Sequence, residues 1–197
     1  GIVDGVHLVG DVMYDVLLDD LAVLDSVASP TDSLAVDSPY VVATIHRAST
    51  TDDPRRFGAV VHALAEIATN IAPVVWPVHP RTSDLVAGLV VPDNLHLISP
   101  VSYHEMLVLV RGARTVVTDS GGLQKEAYWL ETPCVTVRDT TEWTETIDAG
   151  WNSLVGADAA SIIAAVTDVP APDTHPSLYG DGRSADRIVD LITSLLA

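Results

Sequence analysis

The sequence predicts an α/β fold in which a parallel sheet is covered by helices on both faces. Three observations carry this. Short, continuously apolar runs recur, such as Tyr40–Ile45 and Cys134–Val137, as expected of strands buried on both sides. Stretches of helical length with polar caps separate them, so strand and helix alternate along the chain. No internal repeat or low-complexity segment breaks the alternation.

The elements follow in order. Val6–Val9 predicts a short strand, and Asp11 caps a helix running to about Val27. Its apolar positions Val12, Val16, Leu17 and Leu24 are roughly helical in spacing, while Asp19, Asp20 and Asp25 make its outer face acidic. Ser, Asp and Pro fill residues 28–39, which predicts a loop. Tyr40–Ile45 is the first buried strand and runs into His46 and Arg47. Asp52 and Pro54 open a helix to about Ile71, with His62 on its surface. Pro73–Val78 is the second strand, ending at His79, Pro80 and Arg81. Leu95–Ile98 is the third; it leads through Pro100, Val101 and Ser102 into a helix from Tyr103 to Arg111. Thr115–Thr118 is the fourth, and Cys134–Val137 the fifth, with Arg138 and Asp139 at its end. Thr140–Glu142 is a loop into a short helix, and Trp151–Val155 is the sixth strand. Ala159–Val166 is an apolar helix, the Pro-rich stretch 170–176 a linker, and Ser184–Leu196 a final amphipathic helix striped by Ile188, Leu191, Ile192 and Leu195.

The stretch TVVTDSGGLQKE, Thr115–Glu126, organises the rest. It reads as strand, polar turn and helix start, with Ser120 or Gly121 at the cap. Gly121 and Gly122 let a ligand approach the backbone closely. The unpaired N–H groups of the first helical turn then form a phosphate site at the positive end of the helix dipole. Glu126 falls about one turn on, where a carboxylate accepts hydrogen bonds from both hydroxyls of a ribose. A plain strand-to-helix turn with a capping Ser and an exposed Glu is the competing reading. Residues just past the carboxyl ends of such strands face the ligand crevice. His46 is therefore a candidate for proton transfer or phosphate contact, and Arg47, Arg81 and Arg138 for anion contact. A surface pair at 46–47 and a packed loop histidine at His79 are the alternatives there. Tyr103 either stacks on a ring or packs against its own helix.

Composition bounds the function. The 197 residues suffice for one well-cored domain, and no apolar run reaches the ~18 residues of a membrane helix. The formal net charge of −17 disfavours nucleic acid and anionic membranes as partners. Lys125 is the only lysine, and the Asp-rich, Lys-poor composition resembles that of salt-adapted proteins. The single cysteine, Cys134, excludes an internal disulfide or a Cys-based zinc cluster and is expected in the core. No leader directs export, and the lone thiol is compatible with a reducing cytoplasm. The chain opens on Gly1 rather than Met, which reads as a fragment or a cut domain.

Several ordered motifs resemble the C-terminal half of the non-hydrolysing UDP-N-acetylglucosamine 2-epimerases. They are HLVGDVMYD (His7–Asp15), TIHRA (Thr44–Ala48), PVHPR (Pro77–Arg81), TDSGGLQKEA (Thr118–Ala127), PCVTVRDTTEW (Pro133–Trp143), DAGWNSLVG (Asp148–Gly156) and YGDGRSADRIV (Tyr179–Val189). The resemblance implies a Rossmann-like sheet forming one domain of a two-domain GT-B-type architecture. Residues 40–182 would be the UDP-binding domain, 1–27 an interdomain junction, 28–39 a loop, and 183–197 a helix reaching toward an N-terminal domain. It also implies that UDP-N-acetylglucosamine and UDP-N-acetylmannosamine interconvert by elimination and re-addition of UDP through a 2-acetamidoglucal. His46 is then the expected catalytic residue, and Arg47, Arg81, Tyr103, Ser120, Gly121, Gly122, Glu126 and Arg138 hold UDP. The 100–103 loop would cradle uracil.

The resemblance implies no metal or organic cofactor. The expected partners are a UDP-sugar, the N-terminal domain that would carry the C2 acids and, as an open arrangement, a second copy in a homodimer. Ser49 and Thr50 replace the family's usual Glu-Asn, and Trp143 and Thr144 its usual Arg-Pro. The first departure puts regulation by a second nucleotide-sugar in doubt, and no role is carried over for the replaced Arg. A nucleotide-sugar glycosyltransferase-type domain and a non-catalytic nucleotide-binding module are the alternatives.

Overall fold

The computed structural model describes residues 2–34, 36, 39–169 and 172–196. Expectations for Gly1, for 35, 37 and 38 of the loop, for 170 and 171 of the linker, and for Ala197 at the end of the last helix lie outside the described residues. The chain divides into two compact units, Gly1–Ser26 with Pro176–Ala197, and Val27–His175.

The first unit holds helices α1 (Val12–Leu24) and, later in the chain, α9 (Ser184–Leu196). Asp11 caps α1 by accepting from the Met13 N–H at 2.8 Å. The Asp11 N–H in turn donates to the Tyr179 carbonyl at 3.0 Å, and the Ala185 N–H to Asp15 Oδ2 at 2.7 Å. Arg187 pairs with Asp181 at 2.7 Å and donates to the Val9 carbonyl at 3.2 Å. Val6–Val9 forms no strand, contrary to expectation. All described ladder pairs lie in the second unit, so this short apolar run has no neighbouring strand to pair with.

The second unit contains β1 (Val41–Thr44), α2 (Ala48–Thr51), α3 (Pro54–Asn70), β2 (Val74–Pro77), α4 (Ser83–Val86), β3 (Leu95–Ile98), α5 (Tyr103–Gly112), β4 (Thr115–Thr118), α6 (Gly121–Trp129), β5 (Cys134–Thr136), α7 (Thr144–Asp148), β6 (Asn152–Leu154) and α8 (Ala159–Thr167). The six strands expected at 40–155 all form, each within a residue or two of its expected ends. Residues 28–39, read as a loop, hold one 3-10 turn, Pro30–Ser33, closed by a capping box between Ser29 and Asp32.

The sheet is wholly parallel, in the order β3-β2-β1-β4-β5-β6. This is the Rossmann-like order, with its reversal between β1 and β4. Alternate side chains feed two cores. Val41, Ala43, Val74, Trp76, Val117 and Val135 pack with α3 and α8 on one face. Val42, Val75, Val116 and Cys134 pack with α5 and α6 on the other. Cys134 is buried, and burial pushes its thiol up to about 12, so it is an inert core residue.

Candidate functional site

β1 and β4 lie side by side in register from Val41↔Thr115 to Thr44↔Thr118. Their carboxyl ends therefore open at the reversal point of the sheet, where ligands bind in such folds. At the tips the hydroxyls of Thr44 and Thr118 share a hydrogen bond of 2.7 Å. The Ser120 N–H donates to Thr118 Oγ1 at 2.9 Å, which anchors the turn into α6.

Asp119 holds the two strand ends together. Its carboxylate is fully buried and accepts the His46 N–H at 3.0 and 3.1 Å and the Arg47 N–H at 2.9 Å. His46 Nδ1 lies 3.6 Å from the same carboxylate. The His46 ring stacks on His79, centroids 4.8 Å apart. His79 Nδ1 accepts the Arg81 N–H at 3.0 Å, which leaves Nε2 to carry the ring proton. Burial pushes the His46 imidazole below its usual value; the Asp119 charge opposes this, while His79, Arg47 and Arg81 add to it.

Ser120 is the N-cap of α6, its Oγ accepting from the Leu123 N–H at 3.4 Å. Gly121 begins the helix against a crowded wall. A Cβ there would lie 3.3 Å from Trp143 Nε1, 3.4 Å from Arg47 Nη2 and 3.8 Å from Glu142 Oε2. Arg138 grips Glu142 with two parallel bonds of 2.9 and 2.8 Å. These hydrogen bonds hold the Glu142 carboxyl down to about 2.

A cleft of about 230 Å³ opens here, from Thr44 and His46 past His79 and Val101 to Ser120 and Glu126. Pro100, Met106 and Leu123 give it apolar walls. Glu126 lies in it only 8% exposed. Burial raises its carboxyl above the usual value, against a hydrogen bond from Tyr103 and the charge of Lys125.

Of the residues singled out in the sequence, His46, Ser120 and Glu126 line this cleft, and Tyr103 reaches it through Glu126. Gly121, Gly122, Arg47 and Arg138 gather around the first turn of α6. Arg81 is turned aside: its Nη2 is bound to both oxygens of Asp52 at 2.8 and 3.1 Å, and its Nε donates to Thr51 Oγ1 at 3.2 Å.

Sequence reasoning passed over Asp119 as a turn residue and left the role of His79 open. It also missed a buried polar chain beneath the site. Thr136 donates to Asn152 Oδ1 at 2.7 Å, and Asn152 donates to Gln124 Oε1 at 3.2 Å and Thr146 Oγ1 at 3.1 Å. Thr141 donates to the same Gln124 oxygen at 2.6 Å, which ties the 138–143 loop to α6. The sequence held little signal for it, because Gln124 is followed by Lys125 and Glu126 in α6, and Asn152 by Ser153 in β6, so neither stands out as a polar residue in an apolar element.

The family model for UDP-N-acetylglucosamine 2-epimerase matches residues 2–193. A UDP-N-acetylglucosamine 2-epimerase homolog of Methanococcus maripaludis is 41% identical, over 99% of this chain and 56% of its own length. The UDP-2,3-diacetamido-2,3-dideoxy-D-glucuronate 2-epimerase of Pseudomonas aeruginosa is also 41% identical, over 95% of this chain and 52% of its own. Among solved structures, the Methanocaldococcus jannaschii UDP-GlcNAc 2-epimerase in complex with UDP-GlcNAc and UDP gives a TM-score of 0.86 at 31% identity, covering 95% of this chain and 54% of that one. The chain spans about half the length of the curated relatives it matches. Its sheet is of the GT-B type.

Proposed function

The chain belongs to the UDP-N-acetylglucosamine 2-epimerase family, and from that premise we propose that it is the UDP-binding half of a UDP-sugar 2-epimerase. One observation carries the reading: Ser120 at the cap of α6, Leu123 in its first turn and the Glu126 carboxylate share one crevice with His46 at the reversal point of the sheet. The α6 N–H groups and Arg47 take the diphosphate, with Arg138 reached by displacing Glu142 from its fork. Glu126 takes the ribose hydroxyls, and uracil lies against Pro100 and Val101. Arg81 serves at most as a distant charge while it holds Asp52.

The reaction is elimination of UDP from the sugar followed by re-addition after the C2 proton returns to the other face. Positive groups around the diphosphate stabilise the charge that grows on the leaving UDP. His46, its imidazole pushed below the usual value by burial and stacked on His79 beside Asp119, is placed to accept or return a proton beside that group. The sugar is N-acetylglucosamine, giving the manno epimer. A second reading, a 2,3-diacetamido glucuronate, rests on the equal identity to the Pseudomonas enzyme. Here the second unit is the UDP domain, while residues 1–27 and 183–197 meet an N-terminal domain that supplies the C2 acids. The acidic composition suits a salt-rich cytoplasm.

Incubation with each UDP-sugar in deuterated, high-salt buffer tests this. The chain alone is expected to give no deuterium at C2; with an N-terminal half supplied in trans, deuterium and the epimer should both appear. Turnover by the chain alone contradicts the half-enzyme reading, and turnover of the glucuronate only selects the second sugar.

A further inference from the structure

The chain's only lysine is not on its surface. Lys125 is 5% exposed, with Nζ 4.3 Å from the centroid of the Trp143 ring and 5.5 Å from that of Trp129. An ammonium removed from water needs compensation, and an indole face supplies it electrostatically. The two partners sit on different pieces of the site. Lys125 is in α6, whose first turn faces the proposed diphosphate; Trp143 ends the loop that carries Arg138 and Glu142. The Trp143 ring edge lies against Gly121, while its backbone N–H donates to Thr141 Oγ1 at 3.2 Å.

We propose that Lys125 and Trp143 form a positioning pair that clamps the 138–143 loop onto α6 and so presets the anion-binding groups over its first turn. Neither residue need touch the ligand. The buried ammonium fixes the indole, the indole fixes the end of the loop, and Arg138, forked to Glu142, is thereby held beside the first turn of α6. The Thr141–Gln124 bond secures the loop at a second point. The ligand class is a nucleoside diphosphate, and the inference rests on the UDP reading above.

Calorimetric titration of UDP and of uridine into the unsubstituted chain and into Lys125→Met, Lys125→Arg, Trp143→Leu and Trp143→Phe tests it, with folding checked by circular dichroism. Lys125→Met and Trp143→Leu should weaken UDP about tenfold, as for a desolvated cation–π contact. At a pH well above the Glu126 transition, where loss of the Lys125 charge leaves that carboxylate ionised, uridine affinity should hold, and Lys125→Arg and Trp143→Phe should restore most of the UDP affinity. Equal loss of UDP and uridine would mean that the pair merely supports the fold, and overturns the proposal. UDP binding that is the same in all five proteins overturns it while leaving the UDP reading standing. Failure of the unsubstituted chain to bind UDP overturns both.

Discussion

Asp119 accepts the backbone N–H groups of His46 and Arg47 across the reversal point of the sheet, and its Oδ1 lies 3.6 Å from His46 Nδ1. One fully buried carboxylate thus sets the path of the chain after β1, while the imidazole beside it is stacked on His79. Asp119→Ala leaves two N–H groups without their acceptor, at about 1–3 kcal/mol each. Urea unfolding at high salt should show that loss. Asp119→Asn, which keeps an acceptor oxygen, should lose less. Equal stability of the alanine variant and the parent would refute this role.

Glu126 gives a pH dependence with opposite signs in stability and binding. Burial raises its folded value above the ordinary 4.5. Its contribution to stability is therefore complete below 4.5 and is lost as pH rises through the folded value. The ionised form is the better acceptor for ribose hydroxyls, so UDP affinity should climb through the same window. Glu126→Gln should flatten both profiles, as followed by thermal melts and UDP titrations from pH 4 upward.

His46 acts at milder pH. Burial depresses its imidazole below 6.5, so the unfolded chain binds the proton first as pH falls. Stability that is full above 6.5 is then lost as pH drops through the folded value. His46→Asn should remove this component from the melting profile between neutral and mildly acidic pH. An unchanged slope would show that the ring does not titrate as its surroundings require.

Asn152 is 4% exposed and joins Thr136, Gln124 and Thr146. Asn152→Ala should cost about 1–3 kcal/mol, because buried partners lose their bonds. It should also weaken UDP, since Gln124 holds Thr141 and the loop beyond it. Chemical denaturation and titration of the same variant separate the two effects.

Much of the fold was legible because the six strands are continuous apolar runs set between capped helices. Asp53, Ser102, Ser120 and Asp158 all cap helices in the way their residue types favour. Val6–Val9 misled because an apolar run shows strand character without showing whether a partner strand lies beside it. The four-residue helices α2 and α4 are too short to show a period. At the site, the α6 turn and Glu126 were readable from local order. Asp119 was not, because its partners lie 72 and 73 residues away in the chain. The same distance problem hid Asp52, which holds Arg81 across 29 residues.

The central claim is that the crevice lined by Ser120 and Glu126, with the Gly121–Gly122 turn beside it, binds UDP through helix N–H groups and a ribose-binding carboxylate. Calorimetric titration of UDP, uridine and inorganic phosphate into the chain and its Glu126→Ala variant at high salt tests it most directly. UDP should bind the parent chain, and the variant should lose about 1–3 kcal/mol for UDP and equally for uridine, with much less change for phosphate. No UDP binding by the parent, or the same UDP affinity in both proteins, would contradict the account.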